Sequence, residues 1–277
     1  MNSYKTTPFV KWAGGKGQLL DKLTSSMPLN FENYYEPFIG GGALLLGVQP
    51  KNAVVSDINE QLVNTYNQIK NNVDLVIENV KKLDAVECDK EFYLSMREAY
   101  NHKIDNHILD AECAALLIWI NKHCFNGLYR VNQKGRFNVP YNNKVGGLSI
   151  SEENIRNISK FLNEKNTIIK HSDFADTCKE VKEKDFVYFD SPYVPESETA
   201  FFTDYTKGGF NREDHERLAV LFRELDAKGA YVMLSNNNVK MVHELYKGYN
   251  IMEIDVRRNI NSKANKRKGK EVIITNY

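Results

Sequence analysis

The stretch FVYFDSPY, at residues 186–193, places a carboxylate and an aromatic ring three positions apart, directly after four apolar and aromatic residues. Asp190 offers a hydrogen-bond acceptor, and Tyr193 offers a flat surface. An Asp followed two positions later by Pro192 is commonly only a turn at the end of a strand. Acceptor and ring together suit a planar base with an exocyclic amine. The stretch is therefore a candidate catalytic centre, in which Ser191 needs an explanation.

A glycine-rich element, EPFIGGGALLL, lies where an apolar run ends and a helix-like segment begins. Its three glycines, 40–42, let a ligand approach the backbone and present N–H groups at a helix N-terminus. Asp57 ends the next apolar run, where an acidic residue would bind a ribose diol in a Rossmann-like site. A nucleoside site is therefore favoured over a plain turn. A dinucleotide site is disfavoured because Leu45 stands where GxGxxG needs its third glycine.

The N-terminal stretch KWAGGKGQLL does not fit the phosphate-binding loop GxxxxGK[ST]. Val10 stands at the first glycine of that pattern and Gly17 at its Ser/Thr position. Taken alone, Trp12 would be a core aromatic and Lys16 a surface charge. The glycine pair between them indicates instead a backbone held close to a ligand, with an aromatic ring and a cation on either side.

A third strand end carries HSDF, residues 171–174. Asp173 either caps the following helix or accepts a hydrogen bond from the amino group of a ligand's adenine while Phe174 packs on the ring. Both alternatives remain open from these residues. Ligands of open α/β sheets lie outside the carboxyl ends of the strands. Asp57, Asp173, Asp190 and the glycine-rich element are therefore expected to converge on one crevice.

Seven apolar runs bounded by turn residues are predicted strands. They lie at 33–38, 53–57, 166–174, 185–190, 230–236, 249–256 and 271–277. Helix-like segments lie between them, notably 59–71 and 212–228, the second with Asn211 as its N-cap. The alternation predicts an α/β, Rossmann-like sheet. Because the linker 257–270 is too polar and unpatterned for a crossover helix, the last strand is expected to pair antiparallel beside the sixth.

The alternation stops from about residue 72 to residue 165. A helical stretch at 91–121 is followed by the loop-rich segment FNGLYRVNQKGRFNVPYNNKVGG. We therefore predict a mainly helical inserted domain over 72–165. The catalytic domain would comprise residues 1–71 and 166–277.

Composition limits the class of protein. With 42% hydrophobic residues, 26% charged residues and a formal net charge of +1, the chain resembles ordinary soluble proteins. AALLIWI, the longest apolar run, is too short to cross a membrane, and the N-terminus lacks a signal-peptide core, so a cytoplasmic protein is expected. Four cysteines without CxxC spacing and six histidines without an HxxxH pair predict neither a metal site nor disulfides.

Two polar segments are candidate contacts for nucleic acid. One is a basic loop free of acids, with Arg257, Arg258, Lys263, Lys266, Arg267, Lys268 and Lys270. Such loops are usually solvated, but in a chain close to neutral this one is a candidate phosphate-contacting patch. The other is FNGLYRVNQKGRFNVP, whose amides, aromatics and arginines suit the reading of base edges.

Taken in order, these motifs resemble the D12 class of adenine-N6 DNA methyltransferases, of the Dam type and the alpha group. The matching stretches are KWAGGK (11–16), EPFIGGGAL (36–44), SDIN (56–59), FNGLYRVN with GRFNVP (125–140), FVYFDSPY (186–193), FTDYT (202–206) and LSN (234–236). The sequence is most similar to the Gram-positive branch that includes the double-strand methylase of the DpnII restriction system. The resemblance implies a seven-stranded methyltransferase sheet with an antiparallel last strand, S-adenosylmethionine as cofactor and double-stranded DNA, with GATC as target, as partner.

The resemblance also implies roles for individual residues. The catalytic motif is Asp190, Ser191, Pro192 and Tyr193. Cofactor contacts are Trp12, Lys16, Phe38, Gly40, Gly42, Asp57 and Asp190, to which Asp173 and Phe174 are added from their strand end. DNA contacts are Lys11, Asn126, Leu128, Arg130 and Pro140, with Phe125 inserting beside the vacated base stack and Arg267 and Lys268 from the basic loop. The chain departs from the family at Asn142 and Ser172, where Gly is usual, and at Ser191, where Pro is usual.

In the implied mechanism the target adenine flips out of the duplex and stacks on Tyr193. Asp190 and the main-chain carbonyl of Ser191 accept the two N6 hydrogens, so serine is tolerable at a position that offers only its backbone. The alternatives are a methyltransferase acting on another sequence, on RNA, on cytosine N4 or on protein glutamine, and a catalytically silent DNA-binding paralog. A monomer associated with the nucleoid is expected, with a cognate restriction endonuclease as candidate companion.

Overall fold

A seven-stranded sheet organises the protein. The computed structural model describes residues 4–144, 147–195, 209–257 and 268–277. The strands are β1 (Tyr34–Glu36), β2 (Ala53–Asp57), β3 (Thr167–His171), β4 (Phe186–Phe189), β5 (Tyr231–Asn237), β6 (Asn250–Arg257) and β7 (Lys268–Thr275). All seven predicted strands are present, with ends displaced by at most three residues.

The order of the strands is β3-β2-β1-β4-β5-β7-β6. The first five strands in this order run parallel. β7 runs antiparallel between β5 and β6, which confirms the predicted antiparallel last strand and the Rossmann-like α/β class. Because the parallel strands point the same way, their carboxyl ends share one edge of the sheet.

Helices precede and follow these strands. They are α1 (Leu20–Ser26), α2 (Ala43–Val48), α3 (Glu60–Asn71), α4 (Val73–Asp84), α5 (Lys90–Asp105), α6 (Ala111–His123), α7 (Glu152–Glu164), α8 (Phe174–Thr177), α9 (Arg212–Ala227) and α10 (Lys240–Leu245). Short 3-10 turns occupy Lys16–Gln18 and Phe125–Gly127. In the part of the chain that the structure describes, no helix is long and apolar enough to cross a membrane.

Two helix predictions have different outcomes. The Asn211 cap of α9 is confirmed, since Asn211 Oδ1 accepts the Asp214 N–H at 3.1 Å and Asp214 Oδ2 accepts the Asn211 N–H at 3.0 Å. The helical stretch predicted at 91–121 is helical at both ends but is interrupted in the middle, because it is divided between α5 and α6. His107 turns the backbone to a φ of 50°, and Asp110 caps the second helix by accepting the Cys113 N–H at 2.8 Å.

Buried side chains form three clusters. Two lie on opposite faces of the sheet, where alternate residues of β4 point to opposite sides. α4 and α7, inside the predicted insertion, contribute Val76 and Phe161 to the first of these clusters. The third cluster lies within residues 88–141 and includes Trp119 and Phe137. The division into domains at 71/72 and 165/166 stays a prediction.

Candidate active site

Four predicted ligand-binding segments follow four neighbouring parallel strands. The glycine-rich loop comes after β1, Asp57 ends β2, Asp173 lies beyond β3, and Asp190 directly follows β4. These strands are adjacent in the order β3-β2-β1-β4. The topology therefore brings the glycines and the three carboxylates to the same edge of the sheet.

Lys16 and Asp190 form an ion pair at this edge. Lys16 Nζ lies 2.6 Å from Asp190 Oδ1, and the two side chains are 5% and 20% exposed. The ammonium group also donates to the carbonyl oxygen of Gly14 and lies 4.5 Å from the ring centroid of Tyr193. Lys16 is thus not the surface charge that it would be in isolation. It joins the residues predicted for the cofactor to those predicted for catalysis.

Asp190 is held by two donors. Ser235 Oγ donates to Asp190 Oδ1 at 3.2 Å and lies 2.9 Å from the hydroxyl of Tyr188. Burial raises the pKa of Asp190, while Lys16 and Ser235 lower it. Among the described residues both donors engage Oδ1, so Oδ2 is left to accept from a ligand. Sequence reasoning missed Ser235, although it lies in the quoted LSN stretch.

Tyr193 is fixed at its hydroxyl and at its backbone neighbour. Its hydroxyl donates to Glu271 Oε2 at 2.8 Å. The Val194 N–H donates to Asn236 Oδ1 at 2.9 Å, and Asn237 Nδ2 donates to the Val194 carbonyl at 2.7 Å. The end of β5 and the strand β7 therefore hold the last residue of the predicted catalytic motif and the residue that follows it. Sequence reasoning missed Glu271 as well.

Ser191 is buried, and its side chain makes no hydrogen bond to the described residues. Its side chain is 2% exposed, and its hydroxyl has no hydrogen-bond partner among the described residues. The following residue, Pro192, is exposed. The family usually has proline at position 191, whereas this chain has serine. Among the described residues, no hydrogen bond depends on the serine hydroxyl.

The glycine-rich loop is packed against Trp12 and bonded to Asp57. Gly40 has a φ of 47°, and a Cβ at this position would lie 2.9 Å from Trp12 Cδ1. The Gly40 N–H donates to Asp57 Oδ2 at 3.1 Å, and the Asn59 N–H donates to Oδ1 at 2.9 Å. Burial raises the pKa of Asp57, and these N–H groups lower it.

These residues fit the nucleoside part of a cofactor. Asp57 is half-buried, and each of its oxygens keeps a lone pair beyond the N–H group that it accepts. A ribose diol needs such a carboxylate. At Gly40 the space that a side chain would fill is taken by Trp12, so the Trp12 ring lies directly against the loop backbone beside Asp57.

Trp12 also stacks on an aromatic residue of the predicted DNA-contacting segment. The ring centroids of Trp12 and Tyr129 lie 4.9 Å apart at an interplanar angle of 27°. Tyr129 stands between Leu128 and Arg130, which were predicted to contact DNA. Sequence reasoning missed Tyr129. The stack places the predicted cofactor-contacting motif and the predicted DNA-contacting segment in direct contact.

Asp173 caps a helix, one of its two predicted alternatives. Its Oδ1 accepts the Ala175 N–H at 2.9 Å, and Oδ2 pairs with Arg217. Phe174 is 3% exposed, stacks on Phe38 at 5.3 Å and is covered by the Arg217 guanidinium at 4.3 Å. The faces of this ring are thus packed within the protein. A role of Asp173 and Phe174 toward adenine stays a prediction, and sequence reasoning missed Arg217.

The predicted DNA-contacting residues near Lys11 lie together. Gly127 has a φ of 65°, and a Cβ there would lie 2.5 Å from Lys11 Cδ. The Lys11 N–H donates to Asn121 Oδ1 at 2.8 Å, while Asn121 Nδ2 donates to the Gly127 carbonyl at 3.0 Å. Close packing without a side chain at Gly127 therefore positions Lys11 beside exposed Asn126.

The rest of this segment is a short hairpin. The Phe125 N–H donates to the Pro140 carbonyl at 2.8 Å, and Arg130 Nε donates to Asn138 Oδ1 at 2.7 Å. Phe125, Arg130 and Pro140 are exposed, and Leu128 is half-buried. Arg267 and the FTDYT stretch lie outside the described residues. Lys268 begins β7, but only its backbone is described.

Comparisons with known proteins give a consistent result. The model of a family described as D12 class N6 adenine-specific DNA methyltransferase matches residues 12–260. The chain is 42% identical over 277 residues to the type II methyltransferase M1.LlaDCHI of Lactococcus lactis subsp. cremoris, covering 100% of this chain and 97% of that one. It is 43% identical to the type II methyltransferase M.MjaIII of Methanocaldococcus jannaschii, covering 98% and 99%. Identity to the DNA adenine methylase of Escherichia coli K12 is 30%, covering 99% and 96%.

Proposed function

Because the chain belongs to the D12 class of N6 adenine-specific DNA methyltransferases, which use S-adenosylmethionine, we propose that it methylates adenine N6 in duplex GATC after flipping the base. One observation carries the proposal. The Asp190 carboxylate, held at Oδ1 by Lys16 and Ser235, lies in the same short motif as the Tyr193 ring, next to the glycine-rich loop. An acceptor with one free oxygen beside a flat ring suits the amino edge of adenine.

The cofactor supplies an electrophilic methyl group on a sulfonium centre. Asp57 would hold the ribose hydroxyls, and the loop at Gly40 and Gly42, packed against Trp12 and Tyr66, would line the cofactor site beside it. Trp12 and Lys16 would form the opposite wall. Phe38 would lie behind the loop, where it already packs on Phe174.

Adenine N6 is a weak nucleophile because its lone pair is delocalised into the ring. In the proposed step, Asp190 accepts one N6 hydrogen and the Ser191 carbonyl accepts the other, which draws the lone pair out of conjugation. The Tyr193 ring stacks on the base and fixes its plane. Positive charge would develop at N6 as its lone pair takes the methyl group and the carbon–sulfur bond breaks, and the Asp190 carboxylate would stabilise that charge. The neutral thioether would then leave, and N6 would lose its extra proton to solvent. Positioning and electrostatics thereby lower the barrier.

We assign DNA recognition to the exposed residues in and around the hairpin of residues 125–140. Lys11, Asn126 and Arg130 offer donors for base edges, and Phe125, 50% exposed, is available to fill the gap left by the flipped base. The GATC target rests on the resemblance carried by FNGLYRVN and GRFNVP.

Further proposals concern the oligomeric state of the protein, its location and its partner. We infer a monomer that works on chromosomal DNA in the cytoplasm. Two of the relatives are named type II methyltransferases, which supports a companion restriction endonuclease acting on the same sequence.

Methyl transfer to defined duplexes tests the substrate. The protein is incubated with labelled S-adenosylmethionine and a duplex containing GATC, or a matched duplex in which GATC is replaced by GTAC. Mass spectrometry of the digested DNA then locates the label. Label on adenine N6 in the GATC duplex alone is expected. Equal label in both duplexes would refute the GATC assignment, and label on cytosine would refute the substrate class.

The same assay with variants tests the site. Asp190→Asn should remove transfer while retaining DNA binding, whereas Asp176→Asn, an exposed helix residue, should transfer like wild type. DNA binding by the wild type without transfer to any duplex would favour the catalytically silent paralog.

A further inference from the structure

The hydroxyl of Tyr193 has a charged partner outside the catalytic motif. It donates to Glu271 Oε2 over 2.8 Å. Glu271 lies in β7, opposite Asn237 of β5 and opposite Ile254 of β6. A strand paired on both sides is a rigid support. The carboxylate therefore marks a fixed point for the far end of the Tyr193 ring.

This contact completes the restraint of the ring. At the near end, Asn236 and Asn237 hold the Val194 backbone. Without the hydroxyl contact the ring would keep freedom of rotation about its side-chain bonds. Restraint at both ends leaves one plane for the ring, and stacking requires a defined plane.

The Glu271 carboxylate also raises the electron density of the Tyr193 ring. A phenol that donates to an anion is more electron-rich, and the faces of aromatic rings attract cations. The Lys16 ammonium already lies 4.5 Å from the centroid of this ring. A base that becomes positive during methyl transfer would be attracted to the ring in the same way.

We propose that Glu271 is a positioning residue for methyl transfer, which orients the Tyr193 ring and enriches its electron density for the stacked, charging adenine. The inference rests on the proposed function. Glu271 acts through the Tyr193 hydroxyl and does not itself touch the base.

A double-mutant cycle tests this role. kcat and the KM for S-adenosylmethionine are measured for wild type, Glu271→Ala, Tyr193→Phe and the double variant. Each single variant should lower kcat roughly tenfold, the scale of one hydrogen bond to a charged group, and leave the KM unchanged. The double variant should be no slower than Tyr193→Phe alone, because the removed carboxylate then has no hydroxyl to hold. Glu271→Gln should recover only part of the rate, because its amide oxygen accepts the same hydrogen bond but carries no negative charge.

A matched control separates the loss of Tyr193 positioning from the general effect of removing a tyrosine–carboxylate hydrogen bond. The Tyr249 hydroxyl donates to Asp226 Oδ2 at 3.0 Å, next to the amino end of β6. Tyr249→Phe should keep the wild-type kcat.

Three results would overturn the inference. One is a Glu271→Ala kcat within twofold of wild type. Another is a double variant whose loss is the product of the two single losses. The third, which applies even if Glu271→Ala fails to fold, is an unchanged kcat in Tyr193→Phe. If the wild type itself labels no adenine, the proposed function fails first and takes the inference with it, so the two failures are distinguishable.

Discussion

Glu36 is a buried acid next to the active site. It ends β1, is 2% exposed and accepts a hydrogen bond from the Tyr34 hydroxyl at 2.8 Å. The pKa of Glu36 is raised from 4.5 to about 8, because burial and, to a smaller extent, the Asp190 charge raise it more than Tyr34 and Lys16 lower it. Glu36→Gln keeps an acceptor for Tyr34 and removes the titration.

The sign and size of the effect follow from the pKa. The folded state prefers the neutral acid, so its stabilising contribution is complete below the ordinary pKa of 4.5 and is lost as the pH rises through about 8. A shift from 4.5 to about 8 corresponds to about 5 kcal/mol at 1.36 kcal/mol per unit. Between pH 5 and pH 9 the free energy of unfolding of the wild type should fall by about 4 kcal/mol relative to that of Glu36→Gln.

Urea unfolding measures this difference. The free energy of unfolding of wild type and Glu36→Gln is determined at each pH from 5 to 9, and the difference between the two proteins is plotted. Glu78→Gln, on the exposed side of α4, controls for the removal of one carboxylate. Parallel curves for wild type and Glu36→Gln would refute the argument, because they would show that Glu36 titrates alike in the folded and unfolded states.

Three further substitutions test other contacts. Asp190→Ala should abolish transfer and also lower the free energy of unfolding by about 3–5 kcal/mol in urea, because it leaves the Lys16 ammonium buried without its carboxylate; unchanged stability would contradict the buried pair. Ser191→Pro should change the transfer rate by no more than about fivefold, equivalent to 1 kcal/mol, because the proposed role uses only the carbonyl; a larger loss would give the hydroxyl a role. Gly40→Ala places a side chain at a φ of 47° and against Trp12, so the glycine-rich loop must shift. Titration calorimetry should then show S-adenosylmethionine binding weakened roughly tenfold; equal affinity would refute the role of the loop geometry in cofactor binding.

The sheet and the strand-end residues could be predicted because their signals are local. Each buried strand is a short apolar run, and the rule for parallel sheets then assigns one edge to Asp57 and Asp190. The break between α5 and α6 was missed because apolar periodicity continues on both sides of it. Asp110, a capping residue three positions before Cys113, was the available signal.

The supporting contacts could not be predicted in the same way. Glu271 is 78 positions from Tyr193, and Tyr129 lies more than a hundred positions after Trp12. Pairs of this kind are set by how the strands and the hairpin pack, and no local pattern encodes that. The burial of Lys16 has the same cause, since its partner Asp190 arrives from a distant strand.

The stacked pair of Trp12 and Tyr129 has a consequence for changing the target sequence. Residues 125–140 cannot be exchanged as an independent cassette, because Tyr129 within them packs on Trp12, which in turn packs on Gly40. A transplant of this hairpin from a methyltransferase with another specificity would have to bring an aromatic residue at position 129. Without one, Trp12 would lose its stacking partner, and the glycine-rich loop would lose part of its support. Under the proposed function, a change of target sequence at this hairpin would therefore also change the affinity for S-adenosylmethionine.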